Sequence, residues 1–98
     1  MPAYMILVRD APVHDPVEMA EYQRKNREKN DDRPFEMKPL VVYGETVAVE
    51  GEAPDGVIML EFPTIEEAQA WYNSPGYQAA LPHRLKAADY RAFIVQGV

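Results

Sequence analysis

The sequence predicts an α+β fold with the element order β-α-β-β-α-β. Three observations carry that prediction. Short apolar, β-branched runs stand at residues 4–8, 57–62 and 90–95. Capping residues mark helix starts at Asp15 and Thr64. A stretch holding Gly51, Pro54, Asp55 and Gly56 sits where two strand-like runs must be joined by a turn.

Taken in order, Tyr4-Met5-Ile6-Leu7-Val8 is a continuous apolar run closed by Arg9-Asp10-Ala11-Pro12, of strand length and too short for a buried helix. Asp15 then precedes Pro16 and Glu18, which supplies an N-cap, a proline where a missing N–H costs nothing, and a capping carboxylate. The first helix starts there, with Val17, Met19, Ala20 and Tyr22 as its apolar side. Residues 23–33 contain no aliphatic side chain, so the second half of that helix is expected to be solvated. Leu40 to Val49 reads as a long second strand, interrupted by Gly44 as a bulge or a close backbone approach. After the turn, Val57 to Phe62 is the returning strand.

Thr64 and Glu67 form a capping box for the second helix, whose apolar face is Ile65, Ala68, Trp71 and Tyr72. Ser74-Pro75 repeats the start signal, and Pro82 is expected to break the segment that follows. Tyr90 to Val95 is the last strand. This order is the split βαβ, ferredoxin-like arrangement, and residues 1–98 are read as one such domain. Right-handed crossovers place both helices on one face of a four-stranded antiparallel sheet. Period-two reading makes both faces apolar: Tyr4, Ile6 and Val8 against Met5 and Leu7 on the two faces of the first strand, and Val57 and Met59 against Ile58, Leu60 and Phe62 on those of the third. A face left bare by the helices needs a cover, and the simplest is the same face of a second copy about a two-fold axis. A homodimer through the sheet face is therefore expected.

The formal charge of −6, from 16 acidic and 10 basic residues, opposes nucleic-acid binding. No apolar run approaches a membrane span, and with no cysteine there is neither a disulfide framework nor a thiolate site, so a cytoplasmic protein is expected. Five of the ten basic residues lie between Arg24 and Arg33. They are read first as a solvated helix end, with Glu21 and Lys25 as an i,i+4 pair, and second as an anion-binding face.

Met1-Pro2-Ala3-Tyr4, Phe62-Pro63, Glu67-Ala68, Ala70-Trp71-Tyr72-Asn73-Ser74-Pro75, Tyr77-Gln78-Ala79-Ala80 and Val95-Gln96-Gly97-Val98 together resemble the family catalogued as domain of unknown function 1330. The resemblance implies a ferredoxin-like domain paired as a dimeric α+β barrel. That superfamily holds small monooxygenases of the antibiotic-biosynthesis type, muconolactone isomerase and binding domains; no reaction or catalytic set comes with this family.

Four residues are ligand-binding candidates: Tyr22, Tyr43, His83 and Arg84. Tyr22 and Tyr43 place hydroxyls in apolar stripes where a plain core would use Phe. His83 brings a group that titrates near neutrality beside the Arg84 guanidinium; the plain reading of the pair is a surface His and a helix-end Arg on free carbonyls. Trp71 is read as core, with Tyr72 and Tyr77 either core or pocket wall. Asp15 is fully explained as a cap, which leaves His14 a loop residue. The two histidines have no metal-binding spacing, so neither metal nor cofactor is expected. The function expected is a small homodimeric domain that binds a small, mostly apolar metabolite between sheet and helices. The alternative is a cofactor-independent enzyme of monooxygenase or isomerase type, with Tyr22 or Tyr43 and His83 moving protons. The residues do not decide whether the chain is an enzyme.

Overall fold

The computed structural model describes residues 1–28 and 36–98, and contains β1 (Ala3–Arg9), α1 (Pro16–Glu28), β2 (Lys38–Val42), β3 (Gly56–Phe62), α2 (Ile65–Tyr72), α3 (Pro75–Ala87) and β4 (Tyr90–Gln96). The four strands form one antiparallel sheet in the order β2-β3-β1-β4. This is the ferredoxin-like topology, with each crossover leaping one strand. The register sets Met5 opposite Leu60 and Ile94, and Leu7 opposite Ile58 and Ala92.

The buried core lies on the helical side of the sheet. Met5, Leu7, Leu60 and Phe62 meet Met19 and Tyr22 of α1, Ala68 and Trp71 of α2, and Tyr77, Ala80 and Leu81 of α3. On the opposite side Tyr4, Ile6, Val8, Val41, Val57 and Met59 are only half-buried, and Phe93 and Val95 are 45% and 44% exposed. No described element covers that face.

The local signals explain the helix starts. The Glu18 N–H donates to Asp15 Oδ1 at 3.1 Å, the Glu67 N–H to Thr64 Oγ1 at 3.1 Å, and the Tyr77 N–H to Ser74 Oγ at 3.4 Å. Glu18 itself does not reach back to its cap; its carboxylate crosses to α3.

Several expectations need correction. Pro82 does not end the third helix, which runs on to Ala87. An interior proline costs about 3 kcal/mol through its missing N–H and its ring clash. Here Tyr77, Ala80, Leu81, Arg84 and Ala87 form a buried face that offsets this, while Pro82 itself stands exposed. The expected long second strand stops at Val42, and residues 45–49 are not strand. The chain turns away at Tyr43, the one non-glycine residue with positive φ (55°) among those described, although the Tyr43 N–H still donates to the Val57 carbonyl at 2.8 Å. The irregularity in the β2–β3 pairing falls between Pro39 and Val41, not at Gly44. Within α1, Met19 and Tyr22 are buried, but Val17 is 79% exposed and Ala20 also faces out. Glu21 pairs with Arg24 instead of Lys25, through two contacts to its carboxylate, of which Nε to Oε2 is 3.1 Å. Most of the basic cluster, from Arg27 to Arg33, lies outside the described side chains.

Candidate functional site

The buried face of α3 carries a charge. Arg84 sits one helical heptad after Tyr77, so both side chains point at the sheet. Arg84 is 4% exposed, and neither its Nε nor its Nη1 has a hydrogen-bond partner among the described residues. Its guanidinium lies over the Tyr90 ring, 5.1 Å from the centroid. It does not cap the helix by binding free carbonyls.

Around this arginine four phenols are tied in two pairs. The Tyr22 and Tyr77 hydroxyls are 3.0 Å apart, joining α1 to α3, with the rings edge-on at 6.2 Å. Tyr43 and Tyr90 are linked hydroxyl to hydroxyl at 2.6 Å, joining the end of β2 to the start of β4. Arg9, at the end of β1, lies over the Tyr43 ring at 5.6 Å; its Nη2 donates to the Asp55 carbonyl at 3.2 Å, while its Nε is buried and unpartnered among the described residues. Gly56 makes room for this arrangement, because a Cβ there would stand 2.9 Å from the Tyr43 ring.

Burial pushes the Tyr22 phenol far above its ordinary pKa, with the Tyr77 hydroxyl adding to the shift. Tyr43 is raised by burial and by its bond to Tyr90, and Tyr77 is raised chiefly by burial. In all three the Arg84 charge pulls the other way, which marks its closeness to each. The unfolded chain releases these protons at about pH 10, whereas the folded chain keeps them. The stability they contribute is therefore complete below about pH 10 and is lost as pH rises beyond it. An absorbance titration at 295 nm should leave Tyr22, Tyr43 and Tyr77 protonated until the chain unfolds. Six tyrosinates forming in the folded protein would contradict this arrangement.

His83, next in sequence, points elsewhere. Its Nδ1 is 2.5 Å from Glu18 Oε2, a half-buried contact that clamps α3 to α1. A separate hollow of about 270 Å³ opens at the β4 edge, lined by Met5, Tyr72, Ala92, Phe93 and Ile94. The Tyr72 ring lies 5.4 Å from that of Tyr77, so this apolar hollow adjoins the phenol cluster.

The sequence matches the family described as Domain of unknown function (DUF1330) over residues 2–98. The chain belongs to the DUF1330 family. No curated protein matches it. A protein of unknown function from Rhodopseudomonas palustris is 19% identical and superposes with a TM-score of 0.71, over 99% of this chain and 82% of that one. A dimeric ferredoxin-like protein of unknown function from Jannaschia sp. CCS1 is 10% identical with a TM-score of 0.71, over 99% and 100% of the two chains. An ethyl tert-butyl ether d (ethd) family protein from Bacillus halodurans C-125 is 17% identical with a TM-score of 0.65, each chain being covered in full, at 100%. At these identities the likeness establishes the ferredoxin-like fold of this DUF1330 chain.

Of the four candidates, Tyr22, Tyr43 and Arg84 gather on the helical side of the sheet, and His83 stands on the α1–α3 seam. Sequence reasoning left out two members of the DUF1330 cluster. Arg9 and Tyr90 read as a strand terminator and a strand starter; only the pairing that sets Arg9 opposite Tyr90 brings them to the same end of the sheet. Among the described residues no helix is long and apolar enough to cross a membrane.

Proposed function

We propose that this DUF1330 chain is a homodimeric binding domain that takes a small, mostly apolar molecule between its sheet and its helices. The observation that carries the reading is the group of four phenols around a buried guanidinium, two of whose nitrogens have no partner among the described residues, on the side of the sheet where a plain core would be apolar. Hydroxyls and an arginine set among apolar side chains are the few placed polar groups of a ligand site. The adjoining hollow lined by Met5, Tyr72 and Ile94 offers room for an apolar body.

The dimer part of the reading rests on the bare sheet face, where Ile6 stands opposite both Met59 and Phe93. Contiguous apolar surface of this kind calls for a partner. Similar folds described as dimeric, such as those from Jannaschia and Thermobifida fusca, favour a second copy as that partner. Sedimentation at low micromolar concentration should give a two-chain mass; a stable folded monomer would refute the dimer.

The alternative, proton-transfer catalysis, draws little support. Phenols whose pKa is raised by burial are poor bases at neutral pH, and the His83 ring nitrogen nearest α1 is engaged by Glu18. Tyr22→Phe and Tyr43→Phe should each weaken binding of an oxygen-bearing ligand by about tenfold, the cost of one lost hydrogen bond. Calorimetry checks this, and unchanged affinity in both variants would remove the phenols from the site.

A further inference from the structure

We propose that Arg84 is the anchor for the anionic head of a small organic acid, an aryl or enolisable carboxylate, held among the phenols between sheet and helices. The proposal rests on the inter-layer binding site above and names its ligand class.

A buried guanidinium is normally paired, because stripping it of water costs several kcal/mol that only a counter-charge and hydrogen bonds return. Arg84 is 4% exposed and has two unpartnered nitrogens among the described residues. Among the described residues the carboxylates seen in ion pairs serve other cations: Glu21 meets Arg24, Glu18 meets His83 and Asp10 meets Arg91. The Tyr90 ring provides a π face and no counter-charge. A second guanidinium, Arg9, stacks on Tyr43, the hydroxyl partner of Tyr90, and its Nη2 donates to a neutral carbonyl, that of Asp55. Two positive charges thus flank one tyrosine pair, in a chain whose formal charge is −6. With 16 acidic residues available, a buried guanidinium left without a carboxylate among the described residues, with a second, half-buried guanidinium nearby, is an anion site in want of its anion.

The surroundings select the kind of anion. A guanidinium favours planar carboxylates, which it meets with parallel N–H donors, and aromatic walls favour a flat apolar body behind the charge. Hydroxyls of Tyr22 and Tyr43 can donate to a second oxygen, as in a keto or enolate acid. An inorganic phosphate would leave the apolar walls unused.

The test uses the full-length protein with benzoate and benzamide, equal in shape and different in charge, read by calorimetry and by the shift in melting temperature. Benzoate should bind at least tenfold more tightly than benzamide. Arg84→Met, which keeps the volume and removes the charge, should lose the benzoate response while its ligand-free melting temperature stays level or rises, since an unpaired buried charge has gone. Arg84→Lys should keep the preference for benzoate at reduced affinity. Equal binding of the two probes, or a benzoate response that survives in Arg84→Met, would overturn the anchor and leave the inter-layer site standing. A markedly lower ligand-free melting temperature in Arg84→Met would show that Arg84 is a structural group, which also overturns it. If neither probe acts on the unaltered protein, the inter-layer site itself falls, and the anchor with it.

Discussion

Trp71→Ala is expected to cost about 3–5 kcal/mol, the usual loss on removing a large buried aromatic ring. Trp71 is 4% exposed, on the face of α2 that meets the sheet, and its ring lies 5.6 Å from Phe62 and 4.3 Å from Tyr77. It is thus the joint at which α2, α3 and the end of β3 meet. Removing the indole leaves a hole between rings that cannot close without moving a helix. Tyr77 would lose its support, and with it the position of the hydroxyl that meets Tyr22. For a domain of this length the melting temperature should fall by more than about 10 °C at fixed protein concentration. A fall of only a degree or two would show that the surroundings of Trp71 give way freely and that it is no core anchor.

Ile6→Asp has the second large expected effect, and it acts on assembly. Ile6 lies on β1, a central strand, with Met59 and Phe93 directly across from it on either side. In a two-fold dimer through this face the substitution buries a charge in each subunit opposite two apolar side chains, and Arg91, the cation two residues from Phe93 on the same face, is already engaged by Asp10. An unpaired buried charge costs about 3 kcal/mol or more, so the dimer should weaken by at least about 100-fold. Sedimentation should then show single chains or aggregates. A two-chain mass of undiminished stability would place the interface on another surface.

How far the sequence could be read follows from where each signal resides. Caps are local, so Asp15, Thr64 and Ser74 could be placed from their neighbours alone, and each accepts the N–H three residues on, although no return bond from Glu18 or Glu67 to its cap is present among the described residues. Period-two alternation is also local, and it separated Met5 and Leu7 from Ile6 and Val8 correctly. Pro82 is the instructive failure. Treated as a helix breaker, it left His83 as a surface residue and Arg84 as a helix-end residue whose directions were open. Once tertiary packing carries the helix through Pro82, the spacing from Tyr77 to Leu81 to Arg84 puts the arginine on the buried face and turns His83 toward Glu18. The site depends on that one override. Tyr43 shows a similar limit, since its left-handed backbone fits no local preference of tyrosine and ends β2 early. The pairing of Tyr22 with Tyr77 spans the chain and has no local signature.

The central claim, that a small acid binds between the layers at Arg84, is tested most directly by following the Arg84 Nε–Hε resonance and the ring protons of Tyr22, Tyr43 and Tyr77 while benzoate is added. The account predicts saturable shifts at all four side chains with one common dissociation constant, and a downfield move of the Arg84 proton as it gains an acceptor. Saturable binding whose shifts fall on the outer sheet face, at Ile6, Met59 and Phe93, while the Arg84 proton stays still, would contradict it.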